Sequence, residues 1–156
     1  MKLLGDFLLK LLPSKPVFAH CDIPCGIYDP HNAQMAAHTI IRMTKMLDEA
    51  GSDTHKIARL THVKEDHGAL CEKELVTLWG DYFKEEHLKE YPELHDLIWK
   101  SIKLTGKVRQ EINLEAANEL LENVQKVAEI FWKTKGFEPI RIHSGYPTEG
   151  EIVYHK

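Results

Sequence analysis

Between positions 20 and 28 the chain reads His20-Cys21-Asp22-Ile23-Pro24-Cys25-Gly26-Ile27-Tyr28, which packs one imidazole and two thiols into six residues. Side chains of these types ligate metals, and their crowding suits a single ion. Just upstream, Val17-Phe18-Ala19 has the small residues of a processing site cut after Ala19. Cleavage there makes His20 the first residue of the mature chain. Its freed α-amine, with an ordinary pKa of about 8, joins the imidazole, the Cys21 amide and the two sulfurs as a fifth donor. A set that mixes amine, amide, imidazole and thiolate favours nickel or copper(II) over zinc.

The remaining candidates for chemistry read more plainly. Cys71 falls inside a helical pattern and is expected to be a small buried apolar residue. Three cysteines do not make a disulfide framework. His31, His38, His55, His62, His87, His95, His143 and His155 are scattered without a supported metal-binding interval. His62 and His67 are five apart, one more than aligns best on a helix face. Trp79, Tyr82, Phe83, Trp99 and Trp132 are expected in the core or at interfaces.

At 156 residues the chain is the size of one domain. It carries 20 basic and 24 acidic residues, and its net charge of −4 argues against nucleic-acid binding through phosphate neutralisation. Removing residues 1–19 takes away three lysines and one aspartate, so 17 basic and 23 acidic residues remain and the net becomes −6. An anionic substrate would then have to be drawn in by local lysines.

Residues 1–19 carry Leu3, Leu4, Phe7, Leu8, Leu11 and Leu12 at three-to-four spacing, one apolar stripe that ends at Pro13. Asp6 and Lys10 interrupt the run, which makes it a poor secretory core, and it is too short to span a bilayer, so no stable membrane insertion is expected. We read it as a propeptide that blocks His20 until it is removed, in a cytoplasmic protein, with export as the competing reading.

The ligand run needs a scaffold, and the periodicity supplies four helices. Asp29-Pro30 starts the first, which runs to about Ala50 with Met35, Ile40, Met43, Met46 and Leu47 on its stripe and Gly51 as its stop. Ser52 or Asp53 caps the second, which carries Ile57, Leu60, Val63, Leu70, Leu75, Leu78 and Tyr82 to about Lys84, with Gly68 softening its middle. The third spans Pro92 to about Lys107, and the fourth runs from near Asn113 to Gly136. Short links between amphipathic helices predict an all-α, antiparallel up-and-down four-helix bundle over residues 20–136, preceded by the metal-binding hook. Residues 137–156 hold prolines and glycines among β-formers such as Ile140, Ile142, Ile152, Val153 and Tyr154. They predict a short extended tail, a loose hairpin at most, acting as a surface or interface strap.

The run His20-Cys21-x-x-Pro24-Cys25-x-x-Tyr28 resembles the nickel hook of nickel-containing superoxide dismutases. Further segments are similar to that family in the same order: Trp79-Gly80-Asp81-Tyr82-Phe83-Lys84, His87, Tyr91-Pro92-Glu93-Leu94-His95 and Ile130-Phe131-Trp132-Lys133-Thr134-Lys135. The resemblance thus covers His20 to about Lys135. It implies a helical bundle assembled as a homohexamer, one nickel per subunit, a maturation protease that cuts after Ala19, and disproportionation of superoxide to oxygen and hydrogen peroxide by Ni(II)/Ni(III) cycling.

The resemblance also implies residue roles. The His20 amine, the Cys21 amide nitrogen and the sulfurs of Cys21 and Cys25 form an equatorial plane, with the His20 imidazole axial in the oxidised state. Thiolates and an anionic amide are the donors that bring the higher oxidation state of nickel within reach. Pro24 turns the chain back, Gly26 permits a close backbone path, Tyr28 guards the open axial face and Asp22 shapes the hook. The chain departs from the family where a glutamate of the first helix and an arginine of a neighbouring subunit support the imidazole; an ungapped alignment places Ala36 and His67 there. The competing functional class is a non-catalytic module or metallochaperone holding zinc, copper or nickel. A thiol–disulfide protein is disfavoured by the Cys-x-x-x-Cys spacing.

Overall fold

The computed structural model describes residues 26–156, so the leader and the hook residues His20, Cys21, Asp22 and Cys25 lie outside the described residues. Asp29 accepts a hydrogen bond from the His31 amide at 2.7 Å, and helix α1 follows over His31–Asp48. Pro30 stands just ahead of the helix, one place earlier than the first helical position expected of it. Gly51 supplies the positive φ, 58°, on which the chain leaves α1. Asp53 accepts from the Lys56 amide at 3.0 Å and caps α2, Thr54–Thr77. A short helix α3, Glu85–Glu90, precedes α4, Leu94–Gln110. Asn113 accepts from the Ala116 amide at 2.9 Å and caps α5, Leu114–Thr134.

The four long helices close a ring in which α1 packs on α2, α2 on α4, α4 on α5 and α5 back on α1, the expected bundle. Ile40, Leu75, Leu94, Ile98, Leu120 and Phe131 lie fully buried at its centre. Among the described residues no helix is long and apolar enough to cross a membrane.

Several boundaries differ from the sequence expectation, each for a physical reason. The second helix does not continue to Lys84; it gives way to a π-helical turn, Leu78–Tyr82, closed by the Phe83 amide on the Leu78 carbonyl at 2.9 Å. Phe83 then turns extended, with ψ of 140°, and enters the core. Helix α4 begins at Leu94 rather than Pro92 and reaches Gln110 rather than Lys107. Its C-terminal carbonyls are held by a side chain from α2: the buried Lys64 ammonium donates to Val108 O, and to Arg109 O and Glu111 O at 3.0 Å each. Gly68 is a passage rather than a soft spot. A Cβ there would stand 2.4 Å from Cγ of Arg109, whose side chain crosses α2 to pair with Glu65 and Glu72 at 3.2 Å each.

The tail forms a true antiparallel hairpin, β1 Pro139–His143 and β2 Glu151–His155, with Arg141 opposite Val153. It packs on α5 and, through β2, on α1. Its inner face carries Arg141, which reaches Glu122, Gln125 and Glu129, and the buried Val153.

Candidate active site

Three stretches far apart in sequence meet where the first described residues enter the bundle. The segment before α1 supplies Gly26 and Tyr28, the π-helical turn and α3 supply Asp81, Tyr82, Lys84, Glu86 and His87, and the end of α5 supplies Thr134 and Lys135. Together they line a cleft of ≈ 400 Å³. Gly26, at φ +94°, is the residue that follows Cys25 in sequence, and it is part of this lining. The π-helical turn matters to the arrangement: its inserted residue rotates Tyr82 off the regular helical progression as the chain departs from α2.

Tyr82 is the hub. Its ring lies 4.6 Å from that of Phe131, 5.1 Å from Phe83, 5.6 Å from Tyr28 and 5.7 Å from the stacked imidazole of His87. The Thr134 hydroxyl donates to the Phe131 carbonyl at 2.8 Å, which commits its only proton. The Tyr82 hydroxyl, 2.8 Å away, must therefore donate to Thr134 Oγ1. Burial pushes the Tyr82 phenol above its ordinary value, with the Thr134 hydrogen bond acting the other way. Tyr82 thus stays protonated and neutral at physiological pH.

Positive charge sits at the rim. Lys135 Nζ lies 4.8 Å from the Phe131 ring centroid and 5.7 Å from that of Tyr82, and donates to the Tyr28 carbonyl at 3.5 Å. Lys84 adds a second ammonium, and its backbone amide donates to His87 Nδ1 at 3.2 Å. Asp81 and Glu86 share the lining, so the field there is mixed, with the lysines beside the tyrosines. The local lysines that an anionic substrate requires are present.

Of the residues expected to act, the structure places Tyr28 half-buried in the cleft wall, packed against the core. His20, Cys21, Asp22 and Cys25 are outside the described residues, and among those described no group of three or more His, Cys, Asp or Glu could hold a metal. Ala36 is fully buried in α1 and has no polar group to offer an imidazole. His67 is half-buried and turns Nδ1 to the Val63 carbonyl of its own helix at 2.8 Å. Cys71 is fully buried; burial first, then Glu74 and Glu72, push its thiol up to about 12, which leaves it inert. Sequence reasoning assigned Tyr82 to stability and passed over Lys84, Thr134 and Lys135 as actors. Their one signal was their place in the segments quoted above.

Comparison with known proteins bears on the same region. Residues 15–135 match the family described as nickel-containing superoxide dismutase. The chain is 35% identical over 123 residues to the superoxide dismutase [Ni] of Streptomyces seoulensis and 33% identical over 123 residues to that of Streptomyces coelicolor. Each alignment covers 79% of this chain and 93% of the relative. Its fold is similar, with a TM-score of 0.70 and 34% identity, to a crystal structure of a Ni-containing superoxide dismutase whose nickel ligation corresponds to the state after partial X-ray-induced reduction. That similarity covers 75% of this chain and 99% of the other. The family match stops at 135, so the hairpin lies beyond it.

Proposed function

This chain belongs to the nickel-containing superoxide dismutase family, and from that membership and the cleft we propose that superoxide is disproportionated where the processed N-terminus meets Tyr28, Tyr82 and Lys135. The observation that carries this reading is spatial. Gly26, the first described residue of the ligand run, lines a cleft together with the phenols of Tyr28 and Tyr82, the ammonium groups of Lys84 and Lys135, the carboxylates of Asp81 and Glu86, and the side chains of His87 and Thr134. The donor set fits nickel: the His20 amine and imidazole, the Cys21 amide and the two thiolates would hold it, while Ala36 offers no polar group and His67 turns Nδ1 to the Val63 carbonyl of its own helix. When bound there, nickel supplies the one-electron redox change in both directions that no side chain of this protein can.

The rest is done by the chain. Lys135 and Lys84 attract an anion towards the rim against the net charge of −6 that remains once residues 1–19 are removed. The rings of Tyr28 and Tyr82, 5.6 Å apart, narrow the entrance and turn away larger anions and reductants. Tyr82 holds its proton at Oη through the Thr134–Phe131 relay, so this phenol adds no charge to those of Asp81 and Glu86 in the same lining. Asp22 shapes the hook and Tyr28 orients the small oxygen species at its mouth.

Residues 1–19 are a propeptide in this reading, removed by a protease that cuts after Ala19, and the mature subunits assemble as a homohexamer in the cytoplasm. N-terminal mass spectrometry with elemental analysis of the natively produced protein tests it. A mature chain that starts at His20 with one nickel and dismutase activity is expected. A different first residue, or zinc alone, overturns the reading.

A further inference from the structure

The hairpin beyond residue 135 is attached to the bundle by side chains that imitate a missing strand. Its hydrogen-bonded pairs fall on even positions of β1: the Ser144 amide donates to Gly150 O at 2.9 Å and the Lys156 amide to Glu138 O at 3.1 Å. Residues 151 and 153 of β2 therefore turn their backbone groups away from β1, towards α1. There the carboxamide of Gln34, itself fully buried, takes both groups of Val153: Oε1 accepts from its amide at 2.6 Å and Nε2 donates to its carbonyl at 3.1 Å. The Glu151 carbonyl accepts from Gln125 Nε2 of α5 at 2.6 Å and from His38 Nε2 of α1 at 2.9 Å. The Thr148 hydroxyl meets His38 Nδ1 at 2.8 Å, and Gly150 passes so close that a Cβ would stand 2.8 Å from the imidazole. At the other end β2 sets His155 against Trp132 of α5, the rings tilted at 53° with 4.3 Å between centroids.

These attachments sit on the two helix ends that frame the cleft. Gln34 lies in the first turn of α1, six residues after Tyr28, and its amide bonds the Pro30 carbonyl at 3.3 Å. Trp132 lies two residues before Thr134 and three before Lys135. One strand thus joins the start of α1, from which the hook departs, to the end of α5, which carries the rim.

We propose that the C-terminal hairpin is a brace that sets Tyr28 and the start of α1 against Tyr82 and Lys135, with Gln34 as the positioning residue through the main chain of Val153. This rests on the proposed site, and it assigns the tail a part in the reaction geometry without any contact with the reacting atoms. Loss of the carboxamide leaves Val153 N–H and C=O buried without partners, so β2 loosens against the first turn of α1 and is held there only by the His38 and Gln125 bonds to Glu151 O.

The test uses the full processed chain loaded with nickel. Gln34→Leu removes both bonds, Gln34→Glu keeps only the acceptor for the Val153 amide, and Gly150→Ala presses on His38 from the hairpin side should Gln34→Leu fail to fold. Ile98→Val, in the α4 core, serves as a destabilised control. Expected for Gln34→Leu are at least tenfold faster amide exchange at residues 33–38 and 151–155, unchanged nickel content, an altered electron paramagnetic resonance spectrum of the oxidised protein and a threefold or greater fall in kcat/KM. Gln34→Glu should fall between, Gly150→Ala should reproduce the direction, and Ile98→Val should keep the spectrum. Wild-type spectrum and kcat/KM in a Gln34→Leu or Gly150→Ala protein whose hairpin exchanges freely would overturn the brace. An inactive wild-type protein with full nickel would instead overturn the proposed site.

Discussion

Replacing Lys135 by methionine separates electrostatic attraction from every other contribution of the cleft. The side chain keeps its apolar stem over Phe131 and loses only the ammonium, so the folded state should lose no more than about 1 kcal/mol of cation–π contact. An anion at the Tyr82 ring stands 5.7 Å from Nζ. Because Lys135 is exposed, the medium between them is close to water, and at a dielectric constant of ~80 the attraction is about 0.7 kcal/mol. That corresponds to about a threefold loss of kcat/KM at low ionic strength. With a Debye length of about 8 Å at physiological salt the attraction is roughly halved, and the loss should shrink to less than about twofold. Pulse radiolysis of wild type, Lys135→Met and Lys135→Arg across a salt series measures this directly, with the arginine variant expected to track wild type. A loss of the same size at every ionic strength would refute steering and make Lys135 a structural contact of the Tyr28 carbonyl.

Lys64→Met should cost about 3 kcal/mol, since it strips the ammonium from three carbonyls at the end of α4, and should lower the midpoint of thermal unfolding by about 6–12 °C; calorimetry checks it, and a shift of under about 2 °C would show that the helix end caps itself. Burial holds the His38 imidazole below its ordinary value of 6.5, against the opposing Glu151 carbonyl bond, with Gln34 and Arg42 of α1 and Thr148, Tyr146 and Glu151 of the hairpin side around it. Its contribution to stability is therefore complete above about pH 6.5 and is lost as the pH falls through the folded-state value, with a slope of up to about 1.4 kcal/mol per pH unit. Urea titrations between pH 7.5 and 5 should show that slope in wild type and a reduced one in His38→Gln. Tyr28→Phe should lower turnover while nickel content, measured by elemental analysis, stays at the wild-type level; metal loss in that variant would place the phenol in the support of the hook rather than at its mouth.

The helices were legible because their signals are local. Asp53 and Asn113 cap α2 and α5 as their types predict, Gly51 and Gly136 take the positive φ that a chain leaving a helix requires, and the apolar stripes face one core. The π-helical turn was hidden because Leu78 and Tyr82 continue the helical spacing; the extra residue shows only once Phe83 is buried. The hairpin was hidden more deeply. Local alternation favours Ile140, Ile142, Ile152 and Tyr154 as its inner face, yet Ile142 and Tyr154 stay exposed, Val153 is buried, and Arg141 opposite it extends its guanidinium to Glu122 and Glu129 of α5. Glu122, Glu129 and Gln34 decide that choice, and they lie between 12 and 119 positions away along the chain. No window of sequence holds both halves of such a contact.

The same division runs through the site and has a consequence for how it fails. All the donors expected to hold the metal fall within six consecutive residues, so their chemistry can be read without any fold. The wall of the cleft is assembled from residues as far apart as Tyr28 and Lys135, each of which in its own stretch of sequence looks like packing or solvated surface. Among the described residues, the chain that follows the donors reaches the wall through the start of α1, where Asp29 and Pro30 set its direction and Gln34 ties the first turn to β2. Changes within the ligand run should therefore remove nickel and rate together. Changes in the wall should alter rate at constant nickel, and changes in the tie should alter the geometry of a site whose donors and wall are both intact.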